Sequence, residues 1–525
     1  MPTDEHHKKK ITGAASIIGS ATVLSRIAGF VRDAAIAYIF GAGMYADAFF
    51  MAFRIANLLR RLVGEGALTS SFIPIFTEEL HLRTQEGARE LLSKIFTLLF
   101  IVLIVLSALG MIFSREIVYI MSPGFAADPV KFDITVKLTR IMFPYMIFVG
   151  LMAIAMGALN SVKHFGAPAI SPVFFNLTII AAIFSLVPLF STPVYALGAA
   201  VLAGGFIQCA IQFPYLKKFA MMPHPNFSFK DPAIRKILLL MGPAAFGVGI
   251  YQLNIFVTLW FSSQLPEGAV SYLYYAGRLM EVPLGIFGVA IATAALPSLS
   301  EHAAKHEWDQ FRSSLSFALR IVNFVCIPAT IGLFVLSYPI IDVLFRRGEF
   351  GTTATAGTAV ALYYYALGLV PISVARILSS VFYSLKDTAT PVYAAIAAFF
   401  VNAVLCYALI KPLGHGGLAL ATSISAAINA AILLIILKKK FGRFDGRQIL
   451  ASASKSGAAA VIMGAIIYLL VSFAGDMGRV ALAASIAIGC GGGIIIYIIL
   501  AKFFGTPEVV FLKDIFRRQA KKRPY

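Results

Sequence analysis

Six arginines, Arg26, Arg32, Arg54, Arg60, Arg61 and Arg278, stand inside stretches otherwise apolar enough to cross a bilayer. At a bilayer centre each costs roughly 2.5 to 3.5 kcal/mol on translocon-based scales, so a chain that keeps them must supply water, counter-charges or an anion. The acids placed to answer them are Asp33, Asp47, Glu65 and Glu281, which leaves a positive surplus. Such a surplus is costly in a low dielectric unless something compensates it. A guanidinium offers two parallel donors to paired oxygens, a geometry that suits phosphate and pyrophosphate. The residue types therefore point to a hydrated cavity for an anionic substrate. The competing reading is structural: Arg26 or Arg32 paired with Asp33, Arg61 with Glu65, and Arg278 with Glu281.

Spacing organises these charges. Asp47, Arg54 and Arg61 recur every seven residues and so return to nearly one helical face; Glu65 follows Arg61 by four and is placed to pair with it. Gly64 and Gly66 flank Glu65 and weaken the helix there. Arg26 and Asp33 also differ by seven. At the helical rise per residue, Arg26 lies about 20 Å from the inner end of its helix and Arg278 about 15 Å from the outer end of its own. Asp47, near the outer end of the second stretch, is a gate or arginine partner.

Other chemistry is thin. His302 and His306 have the spacing of a metal pair, but no glutamate of a zinc-hydrolase motif stands between them. No glycine loop precedes a lysine and a hydroxyl residue in the phosphate-binding pattern. Cys209, Cys326, Cys406 and Cys490 are far apart, without metal or redox spacing, and are expected to be packing residues. No cofactor or metal is implied.

The elements that must position the arginines are membrane helices. Of 525 residues, 59% are hydrophobic and 13% charged, far from the soluble average. The net charge of +19 falls between apolar stretches and in the C-terminal tail, so it reads as topogenic and lipid-facing charge, with no nucleic-acid partner. Against a span of about 20 residues, fourteen stretches are expected: 12–40, 45–79, 91–114, 133–160, 168–190, 194–216, 233–263, 268–298, 311–337, 354–384, 391–410, 416–438, 455–475 and 480–504. Lysines and arginines concentrate in alternate connections, which places both termini in the cytoplasm. The first stretch reads as an uncleaved helix, because Arg26, Arg32 and Asp33 interrupt it without a cleavage pattern.

A duplication is visible too. Ile73-Pro74-Ile75-Phe76-Thr77-Glu78 recurs as Leu296-Pro297-Ser298-Leu299-Ser300-Glu301, 223 residues later. Six stretches separate the copies, so the repeat is parallel. The chain is expected to be all-α and polytopic, with an N-terminal lobe 1–220, a C-terminal lobe 221–440, an extra helix pair in 441–505 and an amphipathic basic tail 506–525. Gly489, Gly491, Gly492 and Gly493 permit close helix approach in that pair.

The ordered motifs Ser25-Arg26-Ile27-Ala28-Gly29-Phe30-Val31-Arg32-Asp33, Phe40-Gly41-Ala42-Gly43, Asp47-Ala48-Phe49-Phe50, Asn57-Leu58-Leu59-Arg60-Arg61, Glu65-Gly66-Ala67, Tyr274 to Ser300, Leu344 to Phe350 and Phe382 to Asp387 before Thr390-Pro391 resemble the MurJ (MviN) family of lipid II flippases. That resemblance implies two six-helix lobes around a central cavity, as in the wider multidrug/oligosaccharidyl-lipid/polysaccharide exporter superfamily, with the last two helices beside a groove for the polyprenyl tail. It implies transport of lipid II across the bacterial inner membrane rather than enzymic chemistry, and an association with the cell-wall synthesis machinery. Arg26, Arg32, Arg60, Arg278 and Asp47 match the family's functional cavity positions. Gly277 stands where relatives often carry a polar or acidic residue. Gln252, Asn254 and Thr258 include no acid, so the sodium site of some relatives is not carried over.

Overall fold

The computed structural model describes residues 2–60, 68–82, 84–442, 445–475 and 478–509. Its elements are α1 (Pro2–Phe40), α2 (Met44–Arg60), α3 (Leu68–Leu82), α4 (Gln85–Ile112), α5 (Ser114–Met121), α6 (Pro129–Met142), α7 (Tyr145–Ser161), α8 (Gly166–Ser185), α9 (Val194–Ala210), α10 (Gln212–Lys218) and α11 (Pro232–Ser262). After these come α12 (Ala269–Pro283), α13 (Ala290–Ala304), α14 (Trp308–Val335), α15 (Ser337–Phe345), α16 (Thr352–Ala366), α17 (Leu369–Ser384), α18 (Ala389–Phe441), α19 (Gly446–Gly475) and α20 (Arg479–Phe503). Among the described residues nine helices or helix pairs are long and apolar enough to cross a membrane, ten if the bent α16–α17 pair is one crossing. The other expected stretches fall on α1, on α2 with α3, on α11, and on the second half of α18, which breaks at Gly414 with φ +55°.

Local chemistry explains the starts. Pro129 and Pro232 open α6 and α11, where a missing N–H costs nothing, and the carboxylates of Asp128 and Asp231 accept from the first free amides. A π-helical turn, Leu284–Val289, follows Pro283, which cannot donate to the helical ladder. The short helices α5 and α15 lie where the sequence reading places loops. Each is about two turns, too short for a span and too local for the hydropathy pattern to separate from a connection.

The duplication runs through most of the helices before α19. Moved by 223 residues, α4 coincides with α14 at both ends, and α3, α5, α6 and α7 fall on α13, α15, α16 and α17 with ends at most one residue apart. By the same shift α1 ends where α11 ends, within one residue, and α8 begins where α18 begins. The backbone repeats as well: Lys163 (φ 61°) and Lys386 (φ 58°) occupy the same left-handed turn position.

The chain divides into two compact units, Met1–Val270 with Arg347–Phe350, and Ser271–Arg346 with Gly351–Tyr525. α11, the repeat mate of α1, packs within the first unit. In that unit Ile36, Phe50, Met51, Phe72, Phe76, Leu92 and Phe143 are fully buried. In the second, a core built on Phe311, Leu319, Phe382 and Leu433 sits among α13, α14, α17 and α18, and a separate cluster joins Phe324, Met463, Ile467 and Tyr497 across α14, α19 and α20. Gly493 allows that last approach, because a Cβ there would stand 2.7 Å from Ile467 Cδ1. Gly491 and Gly492 face open space, so only part of the glycine run serves helix contact.

Candidate functional site

The arginines of α1 divide. Arg26 is exposed, whereas Arg32, six residues further on, is 6% exposed. The Arg32 guanidinium donates to Asp33 Oδ1 through Nε at 3.0 Å and Nη2 at 2.6 Å, and through Nη1 to Asn176 Oδ1 at 3.1 Å. Asn176 belongs to α8 and donates in turn to the Ser25 and Pro172 carbonyls. Arg32 Cζ also lies 5.9 Å from the centroid of Phe53, a weak cation–π approach. The expected pairing of Asp33 is thus made by its immediate neighbour, and no ion-pair partner of Arg26 occurs among the described residues.

On α2 the charged stripe begins with Asp47, 1% exposed. Its Oδ2 accepts from Lys131 Nζ and from the Gly268 amide, each at 2.8 Å. The cation that answers this carboxylate is thus a lysine from the first turn of α6, where the sequence reading offered an arginine. Arg54, one span of seven further, is half-buried, and Arg60 is the last helical residue of α2. Arg61, Gly64, Glu65 and Gly66 lie outside the described residues, so the expected Arg61–Glu65 pair does too, as does the side chain of Arg60.

In the second unit Arg278 sits on α12 with its side chain 35% exposed and donates through Nη1 to Glu281 Oε2 at 2.9 Å. Glu281 is itself exposed. The position before Arg278, Gly277, has nothing within 4 Å of where a Cβ would stand. The π-helical turn begins six residues on, and helices carry such turns preferentially at functional sites.

The remaining sequence candidates resolve simply. His302 Nδ1 lies 2.9 Å from Glu307 Oε2, while His306 is beyond the end of α13 in a left-handed conformation; the two rings do not share a helical face. Among the described residues no group of three metal-ligating side chains forms. Cys209, Cys326 and Cys406 are buried, but Cys490 is exposed, which corrects its assignment to packing. Arg320 meets Glu508 at 3.2 Å, and Glu508, although in the segment expected to be a surface tail, is 2% exposed and accepts from Ser452 at 2.9 Å.

Sequence reading missed Asn176, Lys131 and Gly268. The Asp128-Pro129 pair was the available signal for Lys131, since a cap followed by proline places it in a first helical turn. Nothing local distinguishes a buried lysine in such a turn from a topogenic one.

Residues 36–488 match the sequence profile of the family described as lipid II flippase MurJ. A lipid II flippase MurJ from Burkholderia cenocepacia is 35% identical over 517 residues, covering 96% of this chain and 98% of the relative. A probable lipid II flippase MurJ from Vibrio cholerae is 35% identical over 465 residues, covering 86% and 89%. Among solved structures, a lipid II flippase MurJ in an inward closed conformation superposes with a TM-score of 0.78 at 28% identity, covering 95% of this chain and 99% of that one. An inward-facing multidrug resistance MATE family transporter of the MOP superfamily superposes at 0.66 with 12% identity, over 80% of this chain and 94% of that one; that likeness is one of fold alone.

Proposed function

This chain belongs to the MurJ family of lipid II flippases, and from that membership we propose that it moves lipid II, the polyprenyl-pyrophosphate-linked peptidoglycan precursor, from the inner to the outer leaflet of a bacterial cytoplasmic membrane by alternating access. It is a transporter, and the chemistry asked of its residues is binding and release. Arg26, Arg60 and Arg278 hold the pyrophosphate through paired donors, and Arg32, fixed by Asp33 and Asn176, contributes charge and holds α1 against α8. The C55 tail stays in lipid along α19 and α20, whose outer faces expose Val461, Phe473, Ile488 and Ile494. Fourteen crossings, cytoplasmic termini, lobes at 1–220 and 221–440 and a functional link to cell-wall synthesis belong to the same reading.

The observation that carries it is the placement of the exposed Arg26 on α1 and of Arg278, its side chain 35% exposed, on α12. The test is lipid II exposure at the outer leaflet of cells depleted of their own flippase. Exposure restored by the native chain and lost with Arg26→Ala at equal membrane levels is the expected result. A well-expressed native chain that leaves lipid II inside would transfer the assignment to another polyprenyl-pyrophosphate-linked oligosaccharide.

A further inference from the structure

One end of the first unit is closed by four chain segments locked in reciprocal pairs. The turn before α2 and the turn before α12 are repeat mates: the Met44 amide donates to the Glu267 carboxylate, and the Gly268 amide donates to the Asp47 carboxylate. Beside them, two further repeat-related loops cross over. The Gly124 amide donates to Ser263 Oγ at 3.2 Å near the end of α11, and the Glu349 amide donates to the Tyr38 carbonyl at 2.9 Å near the end of α1. Glycine makes both crossings possible, since a Cβ on Gly124 would stand 2.2 Å from Ser263 O and one on Gly348 2.2 Å from Tyr38 O.

Lys131 breaks this symmetry. It is 7% exposed, bonds Asp47 at 2.8 Å and stands 4.2 Å over the Phe125 ring. The corresponding position in the repeat is Ala354, and that of Asp47 is Val270, yet α16 and α12 form and bury these residues without a charge. Helix packing therefore does not require the pair. A dry ion pair is also a poor source of net stability, because desolvation offsets most of the attraction. What it provides is a contact that is tight when the seam is dry and weak once water enters, since screening by water cuts the attraction many-fold.

We propose that Lys131 is a positioning residue for Asp47: it fixes the charged carboxylate against the Gly268 amide and so latches this seam, which must open once in each transport cycle. The proposal rests on the alternating-access reading. Lys131 does not touch the substrate; it acts through Asp47.

The test is a double-mutant cycle read by thiol labelling of purified protein. Cys209, Cys326, Cys406 and Cys490 are replaced by serine, and Val270→Cys, buried two residues beyond Gly268, reports opening to a hydrophilic maleimide. Lys131→Met is expected to speed labelling about tenfold or more, as removal of one partner from a buried pair is strongly destabilising. In an Asp47→Asn background, which keeps an acceptor for the Gly268 amide, the same substitution is expected to change the rate by less than about twofold, since coupled neighbours are non-additive. An unchanged rate with Lys131→Met, or an equal acceleration in both backgrounds, overturns the proposal. Where Lys131→Met does not accumulate, Lys131→Gln serves with the same non-additivity expected. Labelling needs no lipid II, so failure here is separable from failure of the native chain to expose lipid II.

Discussion

Where the first repeat carries Arg26, Arg32, Asp33, Asp47, Lys131 and Asn176, the second carries Gly249, Ile255, Phe256, Val270, Ala354 and Phe399 at positions 223 residues on. The exchange runs the other way at Arg278 and Glu281, whose mates are Ile55 and Leu58. Both copies nevertheless build matching helices, α3 to α7 agreeing with α13 to α17 within one residue at their ends. Apolar faces and glycine-mediated approaches are therefore sufficient for the scaffold, and the charges are additions to it. Within the first copy a second distinction appears. Arg32 is enclosed by Asp33 and Asn176, while Arg26 on the same helix is exposed; only the latter has its donors available.

The largest effect is expected where the copies differ and the arginine keeps exposed surface. Arg26→Ala or Arg278→Ala should abolish outer-leaflet lipid II while membrane levels stay native, and Arg278→Lys should restore little because a point charge lacks the planar fork. Full transport by either alanine variant would return these arginines to a structural role. Next comes the enclosed pair. Asp33→Asn strands a buried guanidinium and should cost about 3 kcal/mol, seen as a lower thermal midpoint of the purified protein. Arg32→Met combined with Asp33→Asn should cost less than that single change, as the uncharged second copy implies; a larger loss would mean the scaffold does depend on the pair.

A smaller effect concerns the crossed loops, where the copies agree. Gly348→Ala places a Cβ against the Tyr38 carbonyl at a positive φ and should cost about 1 to 2 kcal/mol. Gly124→Ala, at the mated crossing, should also destabilise, whereas Gly277→Ala, with open space and a helical backbone, should be neutral or better. Equal thermal midpoints for all three would remove the crossings as constraints.

The smallest effect separates the copies by pH. The Lys386-Asp387 turn mates with Lys163-His164. Burial pushes the Asp387 carboxyl upward, but hydrogen bonds from Lys440 and from the Thr390 amide and hydroxyl, with the Lys440 charge, outweigh it and bring it down to about 2. A carboxylate lowered on folding adds stability above its unfolded pKa of about 4, and that contribution is lost as the pH falls from there toward about 2. At the mated turn, burial and then the neighbouring Lys218 charge lower His164 below 6.5. The folded state then binds fewer protons than the unfolded one, so stability is lost as the pH falls below about 6.5. The midpoint should thus decline in the mildly acidic range, and His164→Gln should flatten that decline while leaving the one near pH 3 in place. A decline unaltered by His164→Gln would assign it to another group.

What the sequence determined by itself was the membrane class, the places of nearly all the long helices and the arginine set, because apolar stretches and the cost of charge within them are local properties. The repeat was legible as well: Ser161-Val162-Lys163-His164 against Ser384-Leu385-Lys386-Asp387 carries the same offset as the helix endings. The tertiary structure alone decided which of the offered pairs form and which distant partners complete them. Asp47 is answered by Lys131, 84 residues away, and Arg32 is held, beside the adjacent Asp33 that the sequence offered, by Asn176, 144 residues away, and no periodicity announces Lys131 or Asn176. Whether a buried charge is satisfied depends on what another helix brings within about 3 Å, and that distance is set only when the helices pack.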